Sequence, residues 1–189
     1  MTRRSELEDL ILSYAVLLLL FSDFEPVKMP YVAPAILTAF VFHEIAHRQV
    51  ARHFGYVAFY RRWDTGIILA LLLGVLTKLT TGRAWIFAAL GAVHIYAPYQ
   101  YWEDRYAEGL ISLAGPLANI AVATIGLLIS KLFGGFFGLI AWYTALINAW
   151  LAFFNLLPVP PLDGFKVLRW NLAYWAVGMG VAFLLYNIT

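Results

Sequence analysis

The residues with the clearest capacity for chemistry are two histidines and a glutamate in the segment His43–His47, whose sequence is HEIAH. If this segment is helical, His43 and His47 lie on the same face, one turn apart, where both can bind one metal ion. Glu44 would then be placed to take a proton from a water molecule activated by that metal. The spacing therefore predicts a metal-dependent hydrolytic site.

The HEIAH segment lies in a chain of very apolar composition. Of the 189 residues, 62% are hydrophobic and 13% are charged, whereas a soluble domain is about half apolar and about a quarter charged. The segment follows Tyr31–Phe42, which contains no charged residue, and ionisable groups at such a depth mark functional sites. Cysteine is absent, which excludes disulfides and thiolate ligands, and the net charge of +2 gives no sign of nucleic-acid binding. The composition predicts an integral membrane protein.

Seven apolar stretches predict the organisation of an all-α, polytopic helical bundle with about six to seven membrane segments. A spanning helix needs about 20 residues, so the second, fifth, sixth and seventh stretches are long enough and the first is short. The third and fourth are shorter than a spanning helix and predict a re-entrant hairpin or a mixed helix–strand element. The stretches are roughly Leu7–Phe21, Tyr31–Phe54, Thr65–Leu79, Ala84–Tyr96, Gly109–Leu132, Phe136–Leu157 and Val167–Ile188.

Lysine and arginine residues predict the orientation of the bundle. With the amino terminus inside, nine of them are cytoplasmic and four are outside, as the positive-inside rule requires. The cytoplasmic set is Arg3, Arg4, Arg48, Arg52, Arg61, Arg62, Arg105, Lys166 and Arg169, and the outer set is Lys28, Lys78, Arg83 and Lys131. No small-residue cleavage site follows the first stretch, so we expect an uncleaved first helix. The active site is predicted to face the cytoplasm.

A catalytic zinc site usually has three protein ligands and one open position for water, so the two histidines need a third partner. His53 has the spacing of the soluble HExxHxxGxxH pattern, but Val50 stands where that pattern needs a glycine to turn the chain. We therefore expect His53 to be an interfacial histidine. Glu103 and Glu108 are further alternatives, of which Glu108 is the stronger.

Asp163 is the preferred third ligand. Pro158, Pro160 and Pro161 cannot continue a helix, so the chain must unwind just before Asp163. Irregular backbone in a membrane is tolerated where it lines a cavity. The second and sixth stretches run in the same direction, and they bring HEIAH and Asp163 to similar depths. An Asp-Gly turn at a helix exit is the alternative interpretation of this residue.

The chain resembles the site-2 protease family, the intramembrane zinc metalloproteases, at three landmarks in the same order. His43–His47 matches the HExxH helix. Ala114–Asn119 looks like the AGPxxN segment of the family. Asn155–Gly164 looks like the NxxPxPxLDG segment. The resemblance covers Tyr31 to Gly164, about two-thirds of the chain.

The resemblance implies one Zn²⁺ per chain, bound by His43, His47 and Asp163, with Glu44 as the general base. It also implies that Asn155 borders the catalytic centre. The expected activity is hydrolysis of peptide bonds within or near the transmembrane segments of substrate proteins. The expected location is a prokaryotic cell membrane, and the expected partners are a membrane-protein substrate and the lipid bilayer.

A small β element is predicted before the AGPxxN helix. Residues 91–96 lie where the family carries a glycine-containing strand, and an edge strand there could pair with an extended substrate. This hypothesis makes Gly91, Ala92, Val93 and His94 substrate-binding residues, with His94 a lining residue rather than a ligand. Asn119 is a further candidate for substrate binding, and helix–helix packing through its amide is the alternative.

Two other functions remain open from the sequence. A catalytically silent chaperone or binding protein of the same fold is one, although it would not need the base Glu44. A di-iron oxidase is the other, although such sites use many histidines and this chain has four. The family often appends a PDZ or nucleotide-sensing domain, and we expect residues 1–189 to form a single membrane domain without either. The Thr65–Leu79 stretch is an insertion relative to the minimal family pattern.

Overall fold

The structure is a computed structural model that describes residues 5–86, 91–96 and 104–189, with the side chains of residues 93, 95 and 96 left aside. Within these ranges the chain is mostly helical. The elements are α1 (Glu6–Phe21), α2 (Met29–Ile36), a π-helical segment (Leu37–Phe42), α3 (His43–His53), β1 (Val57–Arg62), α4 (Asp64–Thr81), β2 (Gly91–Tyr96), α5 (Arg105–Leu132), α6 (Gly135–Asn155), α7 (Asp163–Trp170) and α8 (Leu172–Ile188).

Within the described ranges, four helical segments are long and apolar enough to cross a membrane. They are Met29–His53, Asp64–Thr81, Arg105–Leu132 and Gly135–Asn155. The last helix, Leu172–Ile188, is apolar but shorter. The third predicted stretch is one 18-residue helix, α4. The fourth contains β2 rather than a second spanning helix. Of the two forms predicted for this region, the structure therefore has the mixed helix–strand element.

The HEIAH segment belongs to a long helix that changes its winding just before His43. Residues Met29–His53 run continuously, but Leu37–Phe42 is π-helical. A π turn holds more residues than an α turn, so it alters the direction in which the following side chains project. Such segments are frequent at functional sites. Here the π-helical segment determines the direction in which the His43 and His47 side chains project from the helix.

The two strands form an antiparallel two-stranded sheet, and α4 lies between them in the sequence. Val57 pairs with Tyr96 and Arg62 with Gly91, without a bulge between them. β1 also packs on α1, since the buried Tyr60 donates from its hydroxyl to Ser13 Oγ at 2.9 Å. The sequence did not predict β1, because its partner strand lies about thirty residues further along the chain and strand pairing is non-local.

Polar contacts connect α1 to other elements at both ends of the bundle. At one end, Asp23 after α1 accepts hydrogen bonds from Lys78 Nζ at 2.9 Å and from the Ala84 amide at 2.7 Å. At the other end, Glu6 accepts a hydrogen bond from Arg48 at 3.2 Å. Lys78 lies near the end of α4 and Arg48 within α3, so these contacts fix the helix directions relative to α1.

The helices α5 and α6 pack closely through small residues. A Cβ on Gly126 would lie 2.9 Å from the carbonyl oxygen of Ala141 and 3.0 Å from the amide nitrogen of Ala145. Small residues at such a crossing let two helix backbones approach, as is common in membranes. This close packing matters for the site, because α5 carries the AGPxxN segment and α6 leads to Asp163.

Candidate metal centre

The structure brings His43, His47 and Asp163 together. Asp163 Oδ2 lies 3.3 Å from His43 Nε2 and 3.1 Å from His47 Nε2. The two Nε2 atoms are 2.9 Å apart. Both histidines are buried and the aspartate is half-buried. Within the described ranges, this is the group of side chains that could hold a metal ion.

The spacing of these donor atoms suits a tetrahedral zinc ion. Zinc lies about 2.0–2.2 Å from imidazole nitrogen and carboxylate oxygen, so two ligands of a tetrahedral ion are about 3.3 Å apart. The three measured separations, 3.3, 3.1 and 2.9 Å, are at or slightly below that value. Two imidazoles and one carboxylate leave one position open for water. The donor set and its geometry therefore fit the zinc that the sequence predicted.

Hydrogen bonds on the far side of each imidazole fix its orientation. His47 Nδ1 donates to the Ile111 carbonyl oxygen at 2.6 Å. His43 Nδ1 lies 3.0 Å from Asn119 Oδ1, and Asn119 Nδ2 donates to the Ala39 carbonyl oxygen at 3.0 Å. Because the amide NH₂ is used on Ala39, Oδ1 must accept from His43. Each ring then carries its proton on Nδ1, which leaves Nε2 free to bind a metal.

Gly115 provides the space beside the two rings. A Cβ built on this glycine would clash with His47 Nε2 and would approach His43 Nε2 to 2.7 Å. A side chain there would crowd the two Nε2 atoms that would hold a metal. Gly115 belongs to the AGPxxN segment. That segment therefore leaves space beside the two imidazoles and, through Asn119, supplies a hydrogen-bond acceptor for His43.

The loop after α6 delivers Asp163 to the histidines. A Cβ on Gly164 would clash with the Leu156 carbonyl group, so only glycine lets the start of α7 approach the end of α6 this closely. Trp175 Nε1 donates to the same carbonyl oxygen at 2.8 Å. Leu156 itself is fully buried. These contacts hold the loop compact and place Asp163 at the first position of α7.

Glu44 and Asn155 line a small cavity beside the metal-binding group. The cavity has a volume of about 40 Å³, and His43 and Gly91 also line it. Glu44 Oε2 is buried without a hydrogen-bond partner among the described residues. Asn155 Nδ2 donates to the Leu151 carbonyl oxygen at 3.0 Å, which leaves its Oδ1 oriented by this bond. An unpartnered carboxylate oxygen next to a cavity that can hold water suits a proton acceptor.

The other candidate ligands lie elsewhere. His53 is exposed at the end of α3, and Glu108 is exposed in the first turn of α5. His94 is exposed on β2, where its Nδ1 lies 3.2 Å from the Ala92 carbonyl oxygen. Glu103 lies outside the described residues. The structure thus groups Asp163, and neither His53 nor Glu108, with the two histidines; zinc binding by this group stays a prediction.

The structure places Asn119, a predicted substrate-binding residue, between His43 and Ala39. It is fully buried, and its Oδ1 and Nδ2 are engaged by His43 and Ala39. Its amide therefore orients a predicted metal ligand, which is closer to the helix-packing alternative. The Ile111 carbonyl oxygen could not be predicted as a partner of His47, because a backbone acceptor can belong to any residue. The glycine at position 115 was a visible signal, but no role could be assigned to it.

Hydrogen bonding to α1 shows that the outer edge of β1 is occupied. The Tyr60 amide donates to Glu6 Oε1 at 3.1 Å, so this amide points away from β2. Tyr60 is paired with Val93, and in an antiparallel ladder the two members of such a pair both direct their amides outwards. Val93 and, by alternation, Gly91 therefore present their backbone to the outer edge of β2, which is free of a further strand among the described residues. Ala92 and His94 instead bond to β1.

Comparisons with known proteins give a consistent set of relatives. The model of Peptidase family M50 matches residues 135–181. "Putative zinc metalloprotease MJ0611" of Methanocaldococcus jannaschii is 39% identical over 176 residues, which are 91% of this chain and 87% of that protein. "Putative zinc metalloprotease YwhC" of Bacillus subtilis is 31% identical over 156 residues, 75% of this chain and 68% of that protein.

A more distant relative is much longer. "Putative zinc metalloprotease Rip3" of Mycobacterium tuberculosis is 29% identical over 142 residues, 72% of this chain but 30% of that protein. No solved structure matches the chain at the level at which these relatives do.

Proposed function

This chain belongs to peptidase family M50, the site-2 protease family, and on that premise we propose that it is an intramembrane zinc metalloprotease. Its substrates are membrane proteins, and it hydrolyses peptide bonds within or near their transmembrane segments. The observation that carries the proposal is the grouping of His43, His47 and Asp163 beside a cavity lined by Glu44 and Asn155. A protein that only binds a metal does not need a buried, unpartnered carboxylate oxygen such as Glu44 Oε2 at that position.

The chain's own residues account for the steps of peptide hydrolysis. His43, His47 and Asp163 would hold one zinc ion, which when bound supplies a Lewis acid for water and the scissile carbonyl. Glu44 accepts a proton from the attacking water and passes it to the leaving nitrogen. Asn155 Nδ2 uses one hydrogen on the Leu151 carbonyl oxygen, and its second hydrogen can be donated to substrate or to the developing oxyanion.

The free edge of β2 is the proposed binding place for the substrate backbone. A transmembrane helix hides its scissile carbonyl in its own hydrogen bonds, so the substrate must unwind. Pairing with β2 replaces those bonds. Glu6 already occupies the outer edge of β1 at Tyr60, which directs an added strand to β2. Gly91, at the start of that strand, lines the same cavity as Glu44, so a paired substrate would pass the base.

The cavity is too small for a peptide in this conformation. Its volume of about 40 Å³ accommodates water, which needs about 10–15 Å³ of such a cavity. Leu17 of α1 and Gly91 of β2 both line it, so the substrate must displace one of these walls. We place the active site on the cytoplasmic side of a prokaryotic cell membrane, because the surplus of lysine and arginine lies at the end that holds Arg48, Arg61 and Arg62.

Cleavage of single-span substrates by the purified protein tests the proposal. The wild-type protein should cut them, lose activity with a zinc chelator and recover with added zinc. Glu44→Gln should keep zinc but lose roughly 10²–10⁴ in rate, since the amide cannot accept a proton. Glu108→Gln, an exposed glutamate on α5, is the matched control and should cut normally.

The same samples distinguish the alternative function. Wild-type rates in Glu44→Gln would contradict the mechanism. A zinc-loaded wild-type protein that retains a substrate on a column without cutting it would identify a silent binding protein of this fold.

A further inference from the structure

The strongest feature outside the described site is a buried amide on α6. Asn148 is fully buried and lies two turns before Asn155 on the same helix. Its Nδ2 donates to Thr38 Oγ1 at 3.0 Å and to the Thr144 carbonyl oxygen at 2.9 Å. Thr38 is the second residue of the π-helical segment. Asn148 therefore links the helix that leads to Asp163 with the segment that leads to His43.

Thr38 transmits this contact to the backbone of the metal-binding helix. Its hydroxyl lies 2.9 Å from the Ala35 carbonyl oxygen and 3.2 Å from that of Pro34, and it donates to these acceptors while accepting from Asn148. The next residue, Ala39, accepts a hydrogen bond from Asn119 of α5. Two amides from two helices thus hold neighbouring residues at the start of the π-helical segment.

Burying the Asn148 side chain is energetically unfavourable, which points to a role beyond packing. Its Oδ1 has no hydrogen-bond partner among the described residues, although the neighbours Ile147 and Leu151 belong to the apolar core. Burying a polar atom without a partner is unfavourable, and a leucine of similar volume would avoid that penalty. Of its two hydrogen bonds within the described ranges, only the one to Thr38 reaches another helix, so this bond is where a role of Asn148 has to be sought.

We infer that Asn148 is a positioning residue for the metal centre: through Thr38 it fixes the π-helical segment, and with it the direction of His43 relative to Asp163. The inference rests on the proposed function only in that the bound metal is zinc, since no cleavage is needed to test it. His43 lies immediately after Phe42, the last residue of the π-helical segment. A return of that segment to α-helical winding would rotate both histidines away from Asp163.

Zinc affinity of Asn148→Leu, measured by competition with a chelator, is the test. We expect about a tenfold loss, at the lower end of the 10–100-fold effect of partners that orient metal ligands. The thermal stability of the zinc-free protein should be unchanged or higher, since the unpartnered oxygen is gone. Asn187→Leu is the matched control, because Asn187 makes the same kind of bond to the Phe183 carbonyl oxygen at 2.7 Å but is exposed. It should bind zinc normally.

Variants of Thr38 keep the inference testable if Asn148→Leu fails to fold. Thr38→Ser retains the hydroxyl and should bind zinc and Co²⁺ as the wild type does. Thr38→Val should show the affinity loss and an altered visible spectrum of the Co²⁺-substituted site, whereas Thr124→Val, at an exposed threonine, should not. Wild-type zinc affinity and Co²⁺ spectrum in both Asn148→Leu and Thr38→Val, or in Thr38→Val when Asn148→Leu does not fold, would overturn the inference.

Discussion

His43 donates from Nδ1 to Asn119 Oδ1 over 3.0 Å, and this bond joins the HEIAH helix to a residue 76 positions further along the chain. The bond fixes the tautomer that leaves His43 Nε2 free for a metal. It also explains why the asparagine of the AGPxxN segment is fully buried. The HExxH and AGPxxN segments, which are far apart in the sequence, are therefore in contact at the His43 imidazole.

Asn119→Ala should weaken zinc binding by about 10–100-fold, because His43 loses the acceptor that orients it. Asn119→Asp keeps an acceptor on the ring, although it loses the donor to Ala39, so its zinc affinity should lie nearer the wild-type value. Chelator competition on the purified variants measures both. Equal zinc affinity in wild type and Asn119→Ala would show that His43 is oriented by other contacts.

Asp163→Ala should lower zinc content and proteolysis together, because it removes a donor atom that lies within 3.3 Å of both imidazole nitrogens. His53→Ala and Glu108→Ala should leave zinc stoichiometry unchanged, since both residues are exposed and apart from this group. Metal analysis of the three purified variants is the measurement. Loss of zinc from His53→Ala with retention in Asp163→Ala would instead support the soluble-protease pattern.

Gly115→Ala should reduce zinc stoichiometry and cleavage, because its Cβ would take the space beside His43 and His47. Gly180→Ala is a suitable control: Gly180 also lies in a helix, but a Cβ there has no heavy atom within 4 Å. Zinc content and thermal stability should be compared for the pair. A Gly115→Ala protein that holds zinc like the control would mean that the rings can move aside without losing the metal.

Val93→Pro should abolish most cleavage while zinc content and thermal stability stay nearly unchanged, because its amide faces the free edge of β2 and proline cannot donate. His94→Pro should behave differently. Its amide bonds to β1 opposite Phe59. The change should therefore break a hydrogen bond between the two strands and lower the stability of the protein. Cleavage of a single-span substrate, with melting curves, distinguishes the two.

A substrate already weakened by helix-breaking residues should still depend on Val93, because it too needs an extended conformation at the metal. Normal cleavage rates in Val93→Pro would exclude pairing of the substrate with this edge of β2.

Local spacing allowed the sequence to predict the chemistry. His43, Glu44 and His47 are close because helix geometry alone puts them on adjacent turns, and the prolines before Asp163 require the chain to unwind. The apolar composition likewise predicts membrane helices without any knowledge of their packing. The small β element at Gly91–Tyr96 was predicted from its place in the family pattern, and the structure contains a strand with these bounds.

Contacts between distant segments were decided only by the tertiary structure. The pairing of Val57–Arg62 with β2, the proton position on each imidazole and the tie from Asn148 to Thr38 all depend on which helices pack together. Likewise, the number of spanning segments could not be counted from apolar stretches, since a strand and a helix can share the same hydrophobicity. The sequence therefore determined which atoms could bind a metal and take a proton. The packing of α5 and α6 against the long helix decided how those atoms are oriented, because hydrogen-bond direction is a property of assembled elements and not of local spacing.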